Sequence, residues 1–221
     1  MSTKILANFA AAAFLTAIAT TTAYAGIISN GDFQTGSLSS WTTFTTTNGT
    51  TGSGLPAVVS YDTTGTGASF AAKFDVGDTT TCCTQDGGGI RQTIIAPDTA
   101  YYSFFANIAA ENDLTGQING DPGRFRILVD NVGVGTTTLF GFSTSHEVVR
   151  GSVSGTIILT AGAHVLSIEV TRCCVGGGNN APTQYVDNVG VTEAALPEPG
   201  TWATMLGGAC VVMARRRYLK A

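Results

Sequence analysis

The 221-residue chain has little charge, little histidine and no long helical pattern, and each shortage excludes something. Asp, Glu, Lys and Arg make up only 12% of it, and acids outnumber bases by 15 to 11. No basic face is therefore expected to hold a phosphate backbone, which excludes nucleic acid as a partner. The 2 histidines, His146 and His164, leave few candidates for a general base, and His164 falls on the inward face of its run. No G-x-S-x-G elbow occurs. The glycine triplets at 87–89 and 176–178 lack the following helix that a phosphate loop or dinucleotide fingerprint needs. Glu111 and Asp113 are the acids that would make a glycosidase pair, but they sit in a polar loop where carboxylates are ordinarily solvated. No catalytic residue is nominated.

What is present is a β pattern. Phe70, Ala72 and Phe74 alternate with Ala71, Lys73 and Asp75; Phe125, Ile127 and Val129 with Arg124, Arg126 and Leu128; Leu166, Ile168 and Val170 with Val165, Ser167 and Glu169. Period-two alternation puts one set on a core and the other in water. Further strands are expected near 58–61, 90–95, 100–109, 136–142, 148–159 and 185–191, with Gly, Asn and Asp clusters between them. Eight to ten strands without helices imply two packed antiparallel sheets, for which a jelly roll is the usual solution. Residues 26–195 suffice for one such domain.

Both ends read as processing signals. Residues 1–25 carry Lys4, an apolar stretch over 5–19, and Ala23-Tyr24-Ala25, which fits the small-x-small cleavage pattern of a secretory signal. At the other end Pro197-Glu198-Pro199 precedes an apolar run over 201–214 and then Arg215, Arg216 and Arg217. Fourteen helical residues reach about 21 Å against a hydrocarbon core of about 30 Å. The run barely spans, with the arginines holding the cytoplasmic side. This tripartite tail over 196–221 resembles the PEP-CTERM sorting signal that exosortases recognise and cut. The resemblance implies passage through the inner membrane, action by signal peptidase and an exosortase-type enzyme, and a final place at the cell surface or in an exopolysaccharide matrix. Lys4, the three arginines and Lys220 are 5 of the 11 bases, so processing would leave a distinctly acidic domain.

The mature domain resembles a second family. It opens on Asn30-Gly31-Asp32-Phe33 and a GSLSSW stretch ending at Trp41, and closes on Tyr185-Val186-Asp187-Asn188-Val189. Galactose-binding-like jelly rolls, including several carbohydrate-binding modules, share that opening turn and closing strand. The resemblance implies a structural calcium held by Asp187, the carbonyl of Gly31, and Gln34 where the family usually has Glu. Period-two alternation places Tyr185, Asp187, Val189 and Val191 on one face, so Asp187 is expected on the apolar side. There a carboxylate needs a cation or hydrogen-bond donors. Tyr101, Phe105, Phe140 and Phe142 are candidates for stacking on sugar rings, and Trp41 for packing.

Cys82-Cys83 and Cys173-Cys174 form two adjacent pairs, each entering a Gly-rich loop. In an exported chain they are expected as disulfides. Four cysteines allow three connectivities, two of which staple the loops together and one of which makes two vicinal rings. The staples are expected; closing roughly ninety residues stabilises by about 4–5 kcal/mol in the loop-entropy treatment. A four-thiolate zinc site is the rival, although its ligands usually come as C-x-x-C.

These features describe an exported, non-catalytic surface or matrix protein with a structural or adhesive role beside polysaccharide. The competing reading is a module recognising a specific glycan, and a weaker third is a glycoside hydrolase.

Overall fold

The alternating runs become strands in a computed structural model that describes residues 26–79, 84–112, 120–173 and 182–194. The two processing segments, Asp113, Cys82, Cys83 and Cys174 lie outside the described residues. Twelve strands occur among the described residues: β1 (Thr42–Thr45), β2 (Gly49–Thr50), β3 (Ala57–Tyr61), β4 (Ser69–Phe74), β5 (Gly77–Asp78), β6 (Asp86–Ala96), β7 (Ala100–Glu111), β8 (Arg124–Val129), β9 (Val132–Thr138), β10 (Val148–Leu159), β11 (Gly162–Arg172) and β12 (Thr183–Ala194). They form two five-stranded antiparallel sheets, ordered β1-β6-β11-β8-β9 and β10-β7-β12-β4-β3, with the small β2-β5 pair beside them. The chain is thus an antiparallel β-sandwich, and no described residue is helical.

The apolar sets meet between the sheets. Phe74, Tyr102, Phe104, Ile108, Phe125, Ile127, Leu166 and Ile168 are all at most 1% exposed in one cluster. Burying such a side chain stabilises by about 1.5–3 kcal/mol relative to leaving it wet. Trp41 joins the cluster at 6% exposure, and its indole N–H donates to the Asn30 carbonyl at 2.9 Å. The opening turn closes on the last strand: the Val189 amide donates to the Gly31 carbonyl at 2.8 Å. A Cβ at Gly31 would lie 2.1 Å from the Val189 carbonyl oxygen, so only glycine permits this approach.

Three expectations shift. The glycines at 87–89 are not loop but the start of β6, running between β1 and β11. Cβ atoms at Gly87, Gly88 and Gly89 would lie 2.0–2.3 Å from carbonyl oxygens of those neighbours, so the bare backbone is what lets the strands close up. The strand expected near 136–142 runs from Val132 to Thr138 instead. Leu139 and Phe142, beyond its end, still reach the core. The short strands β1, β2 and β5 were not expected at all.

The sandwich is closed along one side. β9 and β10 end their respective sheets and abut there: a Cβ at Gly155 would lie 2.0 Å from the Val134 carbonyl oxygen, and one at Gly135 2.4 Å from that of Ser154. Thr137 ties the seam by donating its hydroxyl to the Ser152 carbonyl at 2.9 Å.

At the β8–β9 turn, Asp130 and Asn131 both adopt positive φ, 51° and 64°, the conformation a two-residue hairpin demands. The Asp130 carboxylate accepts the Val165 amide at 2.8 Å and meets His164 Nδ1 at 2.7 Å, while His164 Nε2 faces the Thr160 carbonyl at 2.9 Å. With acceptors at both ring nitrogens, the protonated ring can donate at both. Its hydrogen bond to Asp130, followed by that to Thr160, holds the His164 pKa above the ordinary 6.5. The stability it supplies is therefore complete below that value and lost as pH rises through the raised folded value. Thermal melts of wild type and His164→Gln from about pH 5 to 9 should show the difference in Tm shrinking on the alkaline side. A difference independent of pH would contradict the assignment.

Candidate functional site

The site lies on the outer face of the β10-β7-β12-β4-β3 sheet. Alternation along β7 sends Tyr102, Phe104, Ala106 and Ile108 inward, which leaves Tyr101, Ser103, Phe105, Asn107 and Glu111 outside. Register adds Arg150, Ser152, Ser154, Thr156 and Ile158 from β10. From β12 it adds Tyr185, Asp187, Gly190 and Thr192.

This set on β12 corrects the expected face. The register slips between Asp187 and Gly190, and Asn188 takes a φ of 51°. This bulge inserts an extra residue and reverses the alternation. Val186, Val189 and Val191 therefore point into the core, while Tyr185 and Asp187 stand on the opposite side. Asp187 is nonetheless fully buried, because the loop over 62–68 leaves the β3 edge and crosses the face. Asp62 in that loop meets Arg150 on the far edge, accepting Nε on its carbonyl at 3.0 Å and Nη2 on its carboxylate at 3.6 Å. Beneath it, the Thr63 and Ser69 hydroxyls donate to Asp187 Oδ2 at 3.3 and 2.5 Å, and the Asn188 amide donates to Oδ1 at 2.6 Å. Tyr61 stacks on Tyr185 with centroids 3.4 Å apart and rings 4° from parallel. The Tyr185 hydroxyl donates to Glu111 Oε2 at 3.4 Å.

Each of the three residues implied for calcium has hydrogen-bond partners within the protein. The Gly31 carbonyl takes the Val189 amide, the Gln34 amide donates to the Asp32 carbonyl at 3.0 Å on an exposed turn, and Asp187 is met by two hydroxyls and an amide. Among the described residues, no group of three or more His, Cys, Asp or Glu could hold a metal.

The other half of the face is open. Tyr101 and Phe105 are each 41% exposed and Ile158 48%. The two aromatic positions, four residues apart on one strand, are separated by about 13 Å. Tyr101 pairs with Ile158, and Phe105 with Ser154. Ser103 sits between the rings, its Oγ 2.8 Å from Thr156 Oγ1. Gly190 lies under the Phe105 ring, since a Cβ there would come within 2.1 Å of it. Of the other aromatic candidates, Phe140 is 89% exposed outside this face and Phe142 is a core residue at 6%. Ile158, the Ser103–Thr156 pair and Gly190 were not foreseen, although the strict alternation of β10 was the signal that could have shown the first two.

Fold and face together define an antiparallel β-sandwich presenting an aromatic and hydroxyl-bearing strip on one sheet. No family profile matches the sequence, and neither does any curated protein. Solved structures similar to it include TmCBM61 in complex with β-1,4-galactotriose, at 13% identity over 75% of this chain and 96% of that one, with a TM-score of 0.41. The CBM22-1 xylan-binding domain from Paenibacillus barcinonensis Xyn10C is similar at 10% identity over 76% and 94%, with a TM-score of 0.40. A cyclase from Fischerella sp. TAU is similar at 17% identity over 80% and 100%, with a TM-score of 0.47. Likeness at this level assigns neither a family nor a ligand.

Proposed function

We propose that this chain is an exported, non-catalytic jelly-roll protein of the cell surface or extracellular matrix that holds polysaccharide on the open half of the β10-β7-β12-β4-β3 sheet. The observation that carries the reading is the Tyr101 and Phe105 pair, with hydroxyls between two exposed rings. Aromatic faces offer apolar area for the C–H side of pyranose rings, and Ser103, Thr156 and Thr192 offer hydrogen bonds to their hydroxyls. Truncating a central aromatic anchor removes binding out of proportion to its area. In affinity electrophoresis against soluble polysaccharides, Tyr101→Ala and Phe105→Ala are each expected to weaken retention about tenfold, or about 1.4 kcal/mol. Gly190→Ala should displace the Phe105 ring and weaken retention similarly while the fold stays intact. Retention unchanged in all three variants would end this reading.

The tail and leader supply the address: signal peptidase cleaves after Ala25, and an exosortase-type enzyme acts at the segment containing Pro197, Glu198 and Pro199. Two disulfides between the Cys82-Cys83 and Cys173-Cys174 segments staple the end of the β6–β11 pair. What supports this reading is that the described residues leading into the two segments are neighbours: Asp86 opposes Arg172 and the Thr171 hydroxyl reaches Gln85 Oε1 at 3.2 Å. Deleting residues 196–221 should leave the protein away from the cell surface when fractions are blotted; surface retention without the tail would refute the sorting role.

A further inference from the structure

A second site lies on the opposite sheet, and it does not depend on the aromatic strip. Ser40, Thr42, Arg91, Gln92, Thr93 and Val165 line a cavity of about 230 Å³ on the outer side of β1, β6 and β11. That is below the roughly 300–1,000 Å³ of drug-sized ligand pockets, and suits one sugar ring. No carboxylate is among its lining residues.

Arg91 distinguishes it. Arg126 is paired with Glu169 at 2.9 Å and Arg150 with Asp62 at 3.6 Å, and Arg172 is fully buried. Arg91 is exposed and has no carboxylate partner among the described residues. Its guanidinium carbon instead lies 5.7 Å from the centroid of the Phe44 ring, where the π face holds the cation without neutralising it. The ring is placed there by register, since Phe44 opposes Gly89 and Thr42 opposes Arg91. The Thr42 hydroxyl is fixed by donating to the Arg91 carbonyl at 3.2 Å. Gln92 turns its amide away to Ser29, accepting at 3.0 Å and donating at 3.1 Å, so its side chain is committed elsewhere. Of the described acids on this side, Glu169, two residues along β11 from the Ser167 that opposes Arg91, is paired with Arg126, and Asp130 is engaged by His164 and the Val165 amide.

We propose that this cavity binds a carboxylated sugar residue, with Arg91 taking the carboxylate. The planar fork matches a carboxylate in a two-point contact. The hydroxyls of Ser40, Thr42 and Thr93 face the ring's own hydroxyls, and Val165 supplies an apolar patch. A net charge of −4 on the chain disfavours the more highly charged phosphate. A domain with this pocket and the opposite strip engages two polysaccharide segments at once.

The test is a titration of the ¹⁵N-labelled protein with sodium D-glucuronate, followed by amide chemical shifts. Saturable shifts at Thr42, Arg91, Thr93 and Val165 are expected, weakened about tenfold in Arg91→Gln and by added salt. Thr93→Val should weaken binding several-fold, and Tyr101→Ala should leave it unchanged, which separates this site from the strip. D-glucose and sodium acetate should give no saturable shifts, because each has only half of what the cavity reads. The proposal is overturned if glucuronate moves none of these amides, if Arg91→Gln binds as well as wild type, or if glucose or acetate matches glucuronate.

Discussion

Replacing Asp187 with alanine should lower stability by about 3 kcal/mol, or roughly 6–12 °C in Tm for a domain of this size. The carboxylate is the common acceptor for Thr63, Ser69 and the Asn188 amide. Removing it strands the buried Thr63 hydroxyl and two part-buried donors, and an unsatisfied buried donor costs about 1–3 kcal/mol before relaxation. It also frees the loop over 62–68, whose Thr63 is 1% exposed. Asp187→Asn should cost far less, because an amide oxygen still accepts from Asn188 and the hydroxyls can rotate to accept from its nitrogen. The two variants differ again in pH dependence. Burial pushes the Asp187 carboxyl above the ordinary 3.8 despite its bonds to Ser69, Asn188 and Thr63. The folded state thus binds the proton more tightly than the unfolded one, and stability falls as pH rises from 3.8 through the raised folded value. Asp187→Asn lacks that slope. Urea titrations of both proteins across this window test it; parallel curves would show that the carboxyl is not perturbed.

The second large effect is expected at the seam. Gly155→Ala places a methyl 2.0 Å from the Val134 carbonyl oxygen and 2.5 Å from its carbon. Backbone cannot swing aside as a side chain can, so β9 and β10 must part. A loss of about 2–3 kcal/mol is expected, in the range of overpacked cores. Gly135→Ala should do the same from the other strand, its Cβ 2.4 Å from the Ser154 carbonyl oxygen. Because either substitution separates the same two strands, the double variant should lose clearly less than the sum. Additive losses in a double-mutant cycle would show that the two contacts are independent.

The sandwich was legible wherever alternation was strong. β4, β7, β8, β10 and β11 announce themselves because one face had to be apolar. The edge strand β1, Thr-Thr-Phe-Thr, carries a single apolar residue and none of its residues is buried, so no alternation marks it. The triplet at 87–89 misleads for the opposite reason: glycine is the ordinary sign of a loop, and here it is selected by strands pressed close on both sides. The candidate strip was half visible. Tyr101 and Phe105 fell in a recognisable strand, but Phe104 and Tyr102 are equally aromatic, and only the register with β12 decides which pair faces out. The bulge at Asn188 carries no sequence signal beyond an asparagine tolerant of positive φ, yet it determines the side on which Asp187 stands.

The glycine seam also governs how copies of this protein can meet. With β9 and β10 lying against each other, the outer edges that remain to the two five-stranded sheets among the described residues, β1 and β3, are both on the opposite flank. Strand-to-strand addition can then proceed in a single direction, and a second molecule docking there would occupy the flank on both partners. Backbone-mediated growth across these two edges halts at a pair, so a larger assembly would need contacts other than the described strand ladders.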